Sequence, residues 1–75
     1  MKQTYVKFDC PKQIIQFVET VSKCDYDIDI KYGSCVVDAK SILGVLSLAH
    51  SKTVEVIFHS DDCWELIEEI SVYAA

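Results

Sequence analysis

Ala39-Lys40-Ser41-Ile42-Leu43-Gly44-Val45-Leu46-Ser47-Leu48 decides how this chain is read. A small residue, a lysine and a serine stand directly before a short apolar run. Serine is a preferred helix N-cap, because its hydroxyl accepts from an amide that has no partner inside the helix. The spacing therefore predicts a helix capped by Ser41 and running to about Leu48 or Ala49. Gly44 weakens such a helix by roughly 1 kcal/mol relative to alanine, so packing must hold it. Val45 and Leu48 need a core face. A helix this short cannot also bury Ile42, Leu43 and Leu46, and part of that group is expected at the surface.

On either side of this segment the hydrophobic period changes. Thr4-Tyr5-Val6-Lys7-Phe8 alternates, with Thr4, Val6 and Phe8 on one face, as in a half-buried strand. Pro11 marks a helix start with Asp9 or Cys10 as cap, and Ile14, Phe17, Val18 and Val21 follow at amphipathic spacing. That helix is expected to end near Lys23-Cys24-Asp25. Asp27 to Tyr32 is a second strand with Ile28, Ile30 and Tyr32 inward. Tyr32-Gly33-Ser34 is a hairpin turn into a third strand, Cys35 to Asp38. Thr53 to His59 is the fourth, with Val54, Val56 and Phe58 on one face. Ser60-Asp61-Asp62 then caps a last helix, with Asp62 and Glu65 at capping-box spacing. Trp64, Ile67 and Ile70 are expected to face inward, with Leu66 and Tyr73 at the margin.

The order βαββαβα predicts an α+β fold, an open-faced two-layer sandwich. A four-stranded, mostly antiparallel sheet carries three helices on one face. Asp27, Asp29, Lys31 and Glu55 line the other, open to water. Seventy-five residues make one domain, 1–75.

A net charge of −5 repels nucleic acid and leaves protein partners open. No apolar run reaches the length of a membrane span, and Lys2-Gln3 runs directly into a strand pattern, so a cytoplasmic protein is expected. Cys10, Cys24, Cys35 and Cys63 lack CxxC spacing, which favours free thiols over disulfides or zinc. Cys24, Cys35 and Cys63 read as buried or half-buried small hydrophobes. His50 and His59 lack ligand spacing. His50 suits the C-terminal dipole of the Ser41 helix. No cofactor and no metal is expected.

The chain resembles the HPr family, phosphocarriers of the sugar phosphotransferase system. The likeness rests on Ala39 to Leu48, on Gln16-Phe17-Val18, on the Asp25 to Tyr32 strand and on the glycine hairpin. Ile14 to Ser41 can be laid on the family without a gap. The resemblance implies that Ser41 is a regulatory serine phosphorylated by an ATP-dependent HPr kinase, against the plain alternative of a cap alone. It also implies that Ile42, Leu43 and Leu46 dock enzyme I, transporter domains or a transcription regulator. The family's phosphohistidine lies in a Gly-Leu-His-Ala/Thr-Arg-Pro loop. Here Cys10-Pro11-Lys12-Gln13 stands there, with Cys10 for the histidine and Lys12 for the arginine that steadies the phosphoryl group. Lys12 and Lys40 would supply positive charge on the phosphate side.

The expectation is thus a divergent HPr-like protein that is not an enzyme and has lost phosphohistidine transfer. It resembles a branch of the family in catabolite repression that lacks the histidine and keeps the serine. The alternative is a phosphocarrier that uses Cys10 as acceptor.

Overall fold

The computed structural model describes residues 2–50 and 52–75. The elements run β1 (Lys2–Lys7), α1 (Pro11–Val21), β2 (Ile28–Tyr32), β3 (Cys35–Asp38), α2 (Ile42–Ala49), β4 (Thr53–Phe58) and α3 (Trp64–Ile70). A single 3-10 turn, Ser71–Tyr73, follows α3. The strands form one sheet in the order β1-β4-β2-β3, with every neighbouring pair antiparallel. This is the α+β sandwich that the hydrophobic period implied.

One face of the sheet supplies Val6, Ile28, Ile30, Val54, Val56 and Phe58 to the core, and all six are buried. Ile14, Phe17, Val18 and Val21 meet them from α1, as their spacing required. Helix α1 packs against both α2 and α3. Phe8 and Tyr73 close on Phe17 with ring centroids 5.1 and 6.3 Å away, joining the end of β1, the centre of α1 and the C-terminal turn. The Ala75 amide donates to the Tyr5 carbonyl at 3.1 Å, covering part of the β1 edge. Unpaired strand edges invite association, so this covering matters. Gly33 adopts φ +60 in the β2–β3 hairpin, a left-handed value that glycine takes at little cost.

The structure corrects several expectations. Tyr32 is 45 % exposed, not inward. Its β2 position lies beyond the last pairing with β4, Lys31↔Glu55, so the core does not reach it, and the Lys52 ammonium lies 4.9 Å from its ring centroid instead. Helix α1 stops at Val21, its last inward residue, before Lys23. The capping box at Asp62 and Glu65 does not form. Helix α3 begins at Trp64 with Cys63 as N-cap, and the Asp62 amide donates to the Ser60 hydroxyl at 3.1 Å.

Burial of Cys63, Leu66 and Ile70 sets the rotation of α3. It makes Leu66 a core residue, leaves Ile67 half-buried and turns Trp64 outward. Cys35 is exposed, because β3 is an edge strand and Cys35 sits at its hairpin end. Cys24 is half-buried and Cys63 buried, as expected. All four thiols are free. His50 is the C-cap of α2, and His59 Nε2 is 2.8 Å from a carboxylate oxygen of Asp29 on the open face.

Burial raises the Cys63 thiol above its ordinary value of 9.0. Burial, helped by a hydrogen bond to Cys24, pushes the Tyr26 phenol from 10.0 up to about 12. In both groups the proton is held more tightly in the folded chain than in the unfolded one. Their contribution is therefore intact below pH about 9 and drains away as pH rises towards about 12. The urea midpoint is expected to fall across that window, and Tyr26→Phe should flatten the part above pH about 10. A midpoint that stayed level would contradict the burial of both groups.

Candidate functional site

The segment from Ala39 to Leu48 is built on a turn organised by Asp38. Its carboxylate accepts from the Lys40 amide at 2.9 Å, and its carbonyl accepts from the Ser41 amide at 3.0 Å. Between them Ala39 is buried, and its amide donates to the Ile28 carbonyl at 2.9 Å. This anchors the turn to the sheet. Ser41 leaves it in an extended conformation (φ −97, ψ 109), as an N-cap residue does. Its hydroxyl accepts from the Gly44 amide at 3.4 Å, and its carbonyl takes the first helical bond from Val45 at 3.0 Å. Ser41 is exposed, and α2 helix geometry leaves the Ile42 and Leu43 amides without intrahelical acceptors.

Gly44 has a role that propensity alone does not suggest. A Cβ there would lie 3.3 Å from the Val37 Cβ and 3.5 Å from the Ser41 hydroxyl oxygen. The missing side chain lets the first turn of α2 approach β3 and leaves room beside the serine. The signal in the sequence is a glycine inside a largely apolar eight-residue helix. Asp38 was likewise missed, although an aspartate three residues before a capping serine is a recognisable turn former.

Helix α2 buries Val45 and Ala49 and keeps Leu46 and Leu48 half-buried. Leu43 is 77 % exposed and Ile42 38 %. The three expected docking residues therefore form a graded patch: Leu43 at its summit, Ile42 beside it and Leu46 at its base.

Lys40 does not stand free beside the serine. Its ammonium donates to the Cys24 carbonyl at 2.7 Å, just past the C-terminal end of α1. There it caps the negative end of that helix.

Cys10 and Lys12 lie elsewhere. Phe8 bridges to His50 at the end of α2, while Lys40 before α2 reaches Cys24 after α1. Helices α1 and α2 thus run antiparallel, and Cys10 and Ser41 occupy opposite ends of the pair. Cys10 is the exposed N-cap of α1 and makes no side-chain cap bond. The Gln13 side chain instead reaches back to accept from the Asp9 amide at 2.7 Å. Lys12 is exposed in the first turn, on the Cys10 side. Among the described residues, no group of three or more His, Cys, Asp or Glu side chains could hold a metal, and no helix is long and apolar enough to cross a membrane.

A four-stranded antiparallel sheet with one helical layer, an exposed serine cap and an exposed apolar helix face make a small open-faced α+β domain. A family model described as the phosphorylation site of the HPr component of the phosphotransferase system matches residues 12–75. The chain belongs to this HPr family. The match begins two residues beyond Cys10. Among solved structures, HPr-C-His from Thermoanaerobacter tengcongensis is 26 % identical, with a TM-score of 0.78 over 96 % of this chain and 89 % of that one. A phosphocarrier protein HPr from Bacillus anthracis is 25 % identical, with a TM-score of 0.75 over 99 % of this chain and 96 % of that one.

Proposed function

We propose that this member of the phosphotransferase-system family is a regulatory binding module, not a phosphohistidine carrier. It docks partner proteins through the face of α2 and is switched by phosphorylation of Ser41. The observation that carries this reading is an exposed serine hydroxyl at the N-cap of α2, two residues from a leucine that is 77 % exposed.

A phosphate on Ser41 would meet the free amides of the first turn and the positive end of the helix. It would add about −1.5 to −2 charges beside the docking patch without disturbing the core. Because Lys40 is held by the Cys24 carbonyl, those amides rather than the lysine would carry the stabilisation. The fitting partners are an HPr kinase and a transcription regulator or another protein of the system. Cysteine at the start of α1, with lysine two residues on in place of a forked guanidinium, speaks against ordinary phosphohistidine transfer.

In the kinase step the Ser41 oxygen attacks the γ-phosphorus of ATP. The bond to the ADP oxygen breaks, and the hydroxyl proton passes to a base of the kinase. Incubation with labelled ATP and an HPr kinase is expected to give one phosphate per chain, retained in Cys10→Ala and absent in Ser41→Ala. Labelling by phosphoenolpyruvate and enzyme I that is lost in Cys10→Ala would instead make Cys10 the acceptor and overturn the proposal. Absence of label under both conditions would overturn the switch as well.

A further inference from the structure

Trp64 is 62 % exposed at the start of α3, and Val72, in the turn that follows, is 77 % exposed. Exposed residues of α3 between them are Glu65, Glu68 and Glu69. Residues 61–69 contain five acidic side chains and no basic one. Leu66 and Ile70 use the opposite side of the helix to reach the core, so this outward strip has no packing task of its own. Trp64 already accepts a cation: the Lys2 ammonium stands 4.8 Å from its ring centroid, and most of the indole remains open.

We infer that this strip is a second docking surface, separate from the α2 face, for a basic segment of a partner protein that carries arginine or lysine between apolar side chains. Charge complementarity chooses the occupant. A second copy of this chain, with net charge −5, would bring like charge against like. The partner's cations meet the three carboxylates and the free part of the indole, where arginine stacks well. Its apolar side chains cover Trp64 and Val72. Tryptophan is among the residues that dominate such contacts.

The test is a titration of the isotope-labelled full chain with a synthetic peptide alternating arginine and leucine, followed by NMR. Two controls replace arginine by glutamate, or leucine by serine at equal charge. The Trp64 indole N–H and the amides of 64–72 are expected to shift and saturate with the first peptide. Trp64→Ala, and separately Glu65→Lys with Glu68→Lys, should weaken binding by about tenfold or more. Trp64→Phe should keep most of the affinity and Leu43→Asp all of it. Circular dichroism checks that each variant is folded. Equal binding of the serine control would reduce the effect to bulk charge and overturn the inference. So would shifts centred on α2, unchanged affinity in Trp64→Ala, or self-association through this strip.

Discussion

Phe17→Ala is expected to lower the stability of the chain by about 3–5 kcal/mol, a large share of its total, and to shift the urea midpoint sharply downwards. Phe17 is completely buried at the centre of α1 and touches Phe8 and Tyr73 by ring edges. Truncating a buried phenylalanine costs about 3–5 kcal/mol through lost transfer energy and the cavity left behind. A domain of this length has roughly 4–11 kcal/mol in total. The loss also uncouples the C-terminal turn, since Tyr73 keeps only Phe8 as an aromatic neighbour, at 5.2 Å. Ile15→Ala, on the same helix but 41 % exposed, should change stability by less than about 0.5 kcal/mol. Urea denaturation followed by far-ultraviolet circular dichroism separates the two. Trp64 fluorescence would be a poor probe, because that ring is largely exposed in the folded chain already. Similar midpoints for both variants would mean that the aromatic cluster does not hold the layers together.

Leu43→Asp is expected to have the opposite profile under the proposed function, with stability kept and partner binding lost. The side chain is 77 % exposed, so its removal takes little apolar area out of the core, and the change should stay within about 0.5 kcal/mol. At the summit of the proposed docking patch, a carboxylate would both remove the anchor and place an unpaired charge against the partner. A loss of at least about 2 kcal/mol, near thirtyfold in Kd, is expected. Calorimetric titration against the regulator or enzyme I that binds the unmodified chain measures it. Val45→Asp, two positions on and completely buried, should unfold the domain. If Leu43→Asp binds as tightly as the parent chain, the α2 face is not the interface.

Both predictions depend on which side of each helix faces the sheet, and here the sequence was uneven. For α1 four inward residues at regular spacing left one possible orientation, and all four are buried. Three of the strands show the same clarity, through Val6 and Phe8, Ile28 and Ile30, and Val54, Val56 and Phe58. Helix α3 did not, because Trp64, Leu66, Ile67 and Ile70 offer two overlapping faces. Trp64 with Ile67 makes the bulkier of the two. A buried Cys63 and Leu66 chose the other face and released the tryptophan.

The candidate site divides in the same way. That Ser41 begins a helix was legible from local chemistry, since a hydroxyl before an apolar run satisfies an amide within a few residues. That some of Ile42, Leu43 and Leu46 must be exposed followed from the short length of the helix. The state of Lys40 was not legible. Its partner is a carbonyl sixteen positions away in the chain.

The amino-acid order by itself determined the sequence of strands and helices, the free state of the cysteines and the cap at Ser41. Each of these is decided by periodicity, spacing or a bond between near neighbours. The tertiary structure alone decided the strand order β1-β4-β2-β3, the outward turn of Trp64, the exposure of Tyr32 beyond the end of the core, the tether on Lys40 and the separation of Cys10 from Ser41. Those depend on where the single small core ends, and a core of this size is settled only when all of its layers close together.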